Sequence, residues 1–163
     1  MFSAISLWMH NTELGEVLLT FLVSMLPVVE LRGGLPTGVL LGLPIPVAFV
    51  SALLGNMLPV PFIILFIRPL FKWIRAHIPK LERFISKLEV RAASKSKNVQ
   101  KYQSLGLLIL VAIPLPGTGA WTGALVASLL DMRLKRSIPI IFAGVVIAGV
   151  IITILTYGVS ALF

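Results

Sequence analysis

Leu105-Gly-Leu-Leu-Ile-Leu-Val-Ala-Ile-Pro-Leu-Pro-Gly-Thr-Gly-Ala-Trp-Thr-Gly-Ala-Leu-Val-Ala-Ser-Leu-Leu130 decides how this chain folds. The stretch carries no charge and exceeds the roughly 20 apolar residues that cross a bilayer as one helix. Its middle, Pro114-Leu-Pro-Gly-Thr-Gly119, interrupts any such helix, because proline lacks the amide proton and glycine favours turns. Each remaining arm is about 9 to 11 residues, or roughly 14–17 Å of helix, about half a span. Basic clusters flank it on both sides. Lys and Arg stay in the cytoplasm, yet a single crossing would put the clusters on opposite faces. Two half-length helices that enter and leave on one side, a re-entrant hairpin, reconcile these facts. Non-helical backbone at that depth is tolerated only when buried in protein or lining a wet cavity.

The rest of the 163-residue chain fits the same environment. It is 58% apolar and 12% charged, against roughly 25% charged for an ordinary soluble domain, and its mean hydropathy is +1.02. A soluble domain of this length has no interior large enough to hide that surface. Soluble enzymes, disulfide scaffolds and disordered chains are excluded, and an integral, multi-pass protein of the cytoplasmic (inner) membrane is expected. No cysteine is present, which removes thiol redox chemistry and Cys-based metal sites. Met1 to Gly15 has no basic region ahead of its apolar part and does not read as a cleavable signal.

The net charge of +8 is localised: ten Lys and Arg lie between Arg68 and Lys101, with only Glu82 and Glu89 against them. Arg32, Arg133, Lys135 and Arg136 balance Glu13, Glu16, Glu30 and Asp131 elsewhere. The 68–104 stretch and the Arg133–Arg136 turn are both assigned to the cytoplasm.

The N-terminal part repeats the hairpin pattern. Val17–Val29 and Leu35–Leu43 are short apolar arms around Glu30-Leu-Arg-Gly-Gly34, and their flanks carry no Lys or Arg, so this hairpin opens outward. One long apolar segment follows each hairpin, Ile45–Ile67 and Ser137–Ser160, each able to span with some tilt. Pro59 and Pro61 should kink the first. Thr37-Gly38 with Leu40 is echoed by Thr122-Gly123 with Leu125, 85 positions on, and Ala52-Leu-Leu-Gly55 by Ile141-Phe-Ala-Gly144, 89 positions on. The reading is an all-α integral membrane fold of two inverted-topology repeats. It forms a single domain over 1–163: repeat one at 1–67, a basic linker at 68–104 and repeat two at 105–163. Inverted repeats with broken helices meeting at the midplane build many transporters.

In the linker, positions 70, 74, 78, 81, 85, 88 and 92 form one apolar helical stripe, with Lys72, Arg75, Arg83, Lys87, Lys97 and Lys101 elsewhere on the wheel. Pro79 fits the first turn of a new helix. This is either an amphipathic helix on the cytoplasmic interface, partnered by anionic phospholipid, or a solvated linker that enforces topology. No aromatic or Gly-rich nucleic-acid motif accompanies the charge, so nucleic acid is not an expected partner. Phe2, Ile5, Trp8 and Met9 suggest a short interfacial helix on the outer side.

Glu30 and Arg32 are the only charges between Glu16 and Arg68. At a hairpin tip inside a bilayer they need pairing or hydration, and the default reading is functional; the alternative is a structural pair that locks the tip. Glu30 suits a proton or a coupling cation, and Arg32 a phosphate or carboxylate. Gly33, Gly34, Gly117 and Gly119 allow tight backbone with free N–H groups, or simply make the turns. The half-helix starting near Gly119 aims its positive end at the same place, with Thr118 and Thr122 available as caps. Pro114 and Pro116 set the break. Asn56 lies mid-span and either packs helices or lines the site. Trp121 either closes the cavity or packs. His10 and His77 lack metal-ligand company. No nucleophile–base pair, P-loop or metal motif is visible, so neither an enzyme nor a cofactor is expected.

Pro27-Val-Val-Glu-Leu-Arg-Gly-Gly-Leu-Pro36, Leu54-Gly-Asn-Met-Leu-Pro-Val-Pro-Phe62 and Ala112-Ile-Pro-Leu-Pro-Gly-Thr-Gly-Ala-Trp-Thr-Gly123 resemble the small multi-drug export protein family over about residues 20–150. More distantly, the architecture resembles the DedA/VTT superfamily, whose members are implicated in moving lipids, including polyprenyl-phosphate carriers. The resemblance implies important acidic residues on the first re-entrant hairpin, a role Glu30 matches, and arginines around the second. Leu105–Leu130 contains no Arg; Arg32 sits on the first hairpin instead.

Three functions follow as expectations. One is translocation of an anionic amphiphile, a phospholipid or lipid-carrier phosphate, coupled through Glu30 to H⁺ or Na⁺. Another is proton-coupled export of cationic drugs. The third is a membrane scaffold without transport. Membrane lipids are the expected partners, together with a second copy in a homodimer, because hairpins of a lone small chain would face lipid. Cysteines introduced at Lys95 and Leu43 should react with impermeant reagents from opposite sides of the membrane. Labelling of both from one side would contradict the inverted repeat.

Overall fold

The computed structural model describes residues 12–77, 86–87 and 103–158, apart from Pro116. The expected outer-side helix at Phe2–Met9, His10, Pro79 and most of the linker stripe lie outside the described residues. The elements are α1 (Glu13–Ser24), α2 (Glu30–Leu40), α3 (Ile45–Met57), α4 (Pro59–His77), α5 (Gln103–Ala112), α6 (Ala120–Leu129) and α7 (Leu134–Thr153), the last prolonged by a π-helical turn, Ile154–Gly158. No strand occurs among the described residues.

Local chemistry sets the ends. Thr12 caps α1, its hydroxyl accepting the Gly15 N–H at 3.2 Å, and Glu13 and Glu16 complement the positive end of the helix. Pro27 disfavours helix at the residue before it, and α1 stops at Ser24. Pro46, in the first turn of α3, suits a position whose N–H needs no helical partner. Pro59 and Pro61 deny amide donors to the carbonyls of Gly55 and Met57, and the long helix breaks at Leu58. The break at Pro114–Gly119 appears as expected, α5 ending at Ala112 and α6 starting at Ala120.

Several boundaries differ from the sequence reading. The first turn is residues 25–29, and Glu30-Leu-Arg-Gly-Gly34 opens α2 rather than linking two helices. Gly33 and Gly34 are helical, and Gly34 lies where a Cβ would sit 1.7 Å from the Ser24 hydroxyl. Packing against α1 overrides the weak helix propensity of glycine. Pro36 is accommodated inside α2. The helix α4 runs past Ile67 to His77 without a break at the expected linker start. The last long helix starts at Leu134 rather than Ser137.

The helices α1, α2, α5 and α6 are each about 15–18 Å long, half a bilayer. Their packing recurs between halves: α1 and α2 pack on each other and on α3, as α5 and α6 do on each other and on α7. The helix α6 also lies along α4, and α2 and α3 meet α7, so the halves interlock. Leu31, Leu35, Leu107, Val111, Ile141 and Val145 fill the core beside Ala48, Ala52, Ala120, Ala124 and Ala127. Such small residues let backbones approach where lipid supplies no hydrophobic drive. Buried hydroxyls bond to backbone: Ser51 to the Val17 carbonyl at 2.7 Å and Ser128 to the Ile64 carbonyl at 3.2 Å.

Many large apolar side chains are exposed. Leu14, Leu18, Leu22 and Leu26 form an exposed stripe on the first hairpin, as do Leu105, Ile109 and Ile113 on the second. Ile45–Ile67 and Leu134–Gly158 are long and apolar enough to cross a membrane. A soluble surface does not look like this.

Gly55 sits where a Cβ would lie 2.1 Å from the Phe21 carbonyl oxygen, a backbone atom that cannot rotate away. Gly55→Ala should therefore destabilise the chain by about 1–3 kcal/mol, read as a lower unfolding midpoint in detergent. Val50→Ala, on the exposed side of the same helix, should move it little.

Candidate functional site

The broken ends of the half-helices carry backbone groups with no helical partner. In an apolar surrounding each must find one elsewhere. The two tips solve this for each other. The first tip is the 25–29 turn with the opening of α2; the second is residues 113–119 with the opening of α6.

Glu30 is 4% exposed and begins α2 at φ 51, a left-handed backbone that non-glycine residues rarely adopt. Its carboxylate faces the start of α6, and Oε1 accepts the Trp121 N–H at 3.2 Å. The approach depends on Gly119, whose φ is 127 and where a Cβ would sit 1.7 Å from Glu30 Oε2. Glu30 thus acts as an N-cap from another helix, satisfying an orphan donor and the positive helix end.

Arg32, in the first turn of α2, donates from one terminal nitrogen to the Leu115 carbonyl and from the other to the Thr118 carbonyl. The second nitrogen also lies 3.5 Å from Glu30 Oε2. The guanidinium fork satisfies two loop carbonyls while staying beside the carboxylate. Trp121 returns the contact: its indole N–H donates to the Met25 carbonyl at 3.1 Å, in the first tip.

Two cavities border this contact. A small one, about 10 Å³ and so with room for a single water, is lined by Glu30, Arg32, Asn56, Pro114, Gly119 and Ala120, with Val145, Ala148 and Ile152 of α7. Asn56 is 2% exposed, and its side-chain carbonyl oxygen has no hydrogen-bond donor among the described residues. A wider recess of about 240 Å³ is lined by Pro27, Val28, Glu30, Arg32, Gly117, Thr118 and Thr122.

Of the residues singled out from sequence, Glu30, Arg32, Asn56, Pro114, Gly117, Thr118, Gly119, Trp121 and Thr122 converge here. Gly33 and Gly34 do not: they sit within α2, and Gly33 donates its N–H to the Val29 carbonyl, so neither offers a free amide. Pro116 lies outside the described residues. Thr118 and Thr122 do not cap α6. The Thr118 hydroxyl bonds to the Ile113 and Leu115 carbonyls at 2.7 Å, and that of Thr122 to the Gly117 carbonyl at 3.1 Å. Those loop carbonyls have no helical donors and compete for the hydroxyls. Sequence reasoning missed the α7 lining and the Leu115, Thr118 and Met25 carbonyls; only the Gly144/Ala148 small-residue spacing in α7 hinted at the former. No group of three or more metal-ligating side chains occurs among the described residues.

The model of a protein family described as "Putative small multi-drug export protein" matches residues 30–151, which take in α2 with Glu30 and Arg32, α3, the second tip and most of α7. No curated protein and no solved structure matches the chain.

Gly117 and Gly119 both have left-handed φ, 79 and 127, but a Cβ at Gly117 meets nothing within 4 Å whereas one at Gly119 meets Glu30. Gly117→Ala should cost only the backbone strain, about 1 kcal/mol, and Gly119→Ala clearly more, by unseating Glu30. Unfolding of the two variants in the same detergent compares them directly.

Proposed function

The chain belongs to the small multi-drug export protein family, and on that premise we propose that it is a membrane transporter whose gate and substrate site are the meeting place of the two tips. The two long apolar helices and the apolar exterior support the membrane reading. The recurrent packing of hairpin on long helix supports an inverted pair of re-entrant repeats, with the tips near the midplane.

The observation that carries the substrate class is the seat of Glu30. A carboxylate occupies a cradle built from a helix-end amide and a guanidinium, which reports what that cradle accepts: an anionic oxygen group. The substrate in this reading is an amphiphile with a phosphate or carboxylate head, such as a phospholipid or lipid-carrier phosphate, competing with Glu30 for the same donors. Protonation of Glu30 removes its charge and its hold on the α6 end. The neutral acid then becomes a donor, and the Asn56 carbonyl oxygen, bordering the same small cavity, is an acceptor for it. Proton uptake and anion admission are thereby coupled through one side chain. The recess beside Arg32 and Thr118 gives the head group its way in.

The family description favours a second reading, proton-coupled export of cationic drugs with Glu30 as the exchanging carboxylate. A cation would have to reach Glu30 past Arg32, which two loop carbonyls hold in place.

Proteoliposomes carrying labelled phospholipid, polyprenyl phosphate or ethidium separate these readings. The anion reading expects translocation of an anionic amphiphile, slowed about tenfold or more by Arg32→Gln, a loss in line with removing a hydrogen bond to a charge. It also expects Glu30→Gln to abolish dependence on a proton gradient. Movement of ethidium alone, lost in Glu30→Gln, would overturn it. Full activity of every species in both variants would remove the tips from function altogether.

A further inference from the structure

A third cavity, at the opposite ends of α5 and α6 from the second tip, lies between the starts of α5 and α7. It measures about 690 Å³. Its shape follows from the turn between α6 and α7. Asp131 takes a left-handed φ of 57, Met132 is buried and pins the turn, and Arg133 is extended before α7 begins. The Arg136 Nε–H then donates to the Ser104 hydroxyl at 2.9 Å, tying the first turn of α7 to that of α5.

Arg133, Lys135 and Arg136 all line this one concavity, against the single carboxylate of Asp131. They are three of the four Lys and Arg that lie outside the 68–101 stretch. Like charges gathered around one recess repel, and an anion between them relieves that repulsion. Two guanidinium forks and one ammonium are donors suited to phosphate oxygens. Part of the lining is different: Pro139 and Ile140 are apolar. The cavity also opens at the first turns of a helix long and apolar enough to cross a bilayer, the depth at which phospholipid head groups lie. Basic recesses between membrane helices are suited to anionic head groups.

We propose that the basic cavity between α5 and α7 binds the phosphate head group of one anionic phospholipid, with the lipid's glycerol and acyl region against Pro139 and Ile140. This site is separate from the tips and does not depend on what crosses there. It also differs from any lipid attraction by the basic linker, because it is a defined recess and takes a counted ligand.

The test uses the full chain purified in mild detergent, titrated with short-chain phosphatidylglycerol, short-chain phosphatidylcholine or inorganic phosphate. Phosphatidylglycerol should raise the unfolding midpoint by about 5 °C at saturation, and native mass spectrometry should show one lipid retained. Phosphatidylcholine and inorganic phosphate should each do far less. The combined variant Arg133→Gln, Lys135→Gln, Arg136→Gln should lose both effects, while Arg91→Gln, Lys95→Gln, Lys97→Gln, removing equal charge from the linker, should keep them. An equal shift from phosphatidylcholine would overturn the site, and an equal shift from phosphate alone would overturn its lipid character. Equal loss in the linker variant would reduce the effect to net charge. If the triple variant fails to insert, Lys135→Gln alone should weaken phosphatidylglycerol binding about fivefold, and unchanged affinity there would count against the proposal.

Discussion

A carboxylate capping a helix to which it does not belong is the constraint on which this structure rests. Glu30 and Trp121 are 91 positions apart, yet the N–H of one meets the carboxylate of the other. The terminal N–H and C=O groups of a half-length helix have no helical partner, and wherever water is excluded they must be satisfied by protein. Arg32 covers two carbonyls of the second tip, Glu30 an amide at the start of α6, and Trp121 a carbonyl of the first. Each tip completes the other. The left-handed backbone at Glu30 and the glycine at position 119 are what this mutual capping requires.

Under the proposed function the same contact ties stability to transport. The groups that close the fold are also those able to bind an ion or a charged head group, because orphan amides and a guanidinium are what an anion seeks. In that proposal, removing the charge of Glu30 loosens a cap and exposes a binding group in one step. The small residues on α6 and α3 and the hydroxyls bonded to backbone supply the rigid frame around it.

Much of this was legible in the chain, for identifiable reasons. Pro114–Gly119 announced its break because proline and glycine act locally. The long helices were legible from length and hydropathy, and the bend at Leu58 from Pro59 and Pro61. The first tip was misplaced by several residues, because Gly33, Gly34 and Pro36 look like turn formers until Ser24 packs against α2 and makes the close approach favourable. Glu30, Arg32 and Trp121 stood out as residue types, but their partners did not. Backbone carbonyls such as those of Leu115 and Thr118 carry no sequence signature, and a cap supplied from a distant helix is invisible to local rules. Arg133, Lys135 and Arg136 were legible only as an orientation signal, because a recess is a property of packing.

The distance between the tips, measured by pulsed electron resonance between spin labels at Val28 and Leu115 in bilayers, tests the account most directly. Both side chains are exposed at their tips, and Leu115 meets Arg32 through its backbone carbonyl rather than its side chain. The native chain should give one short, narrow distance and Glu30→Gln a longer, broader distribution. Superimposable distributions would show that Glu30 does not hold the tips together.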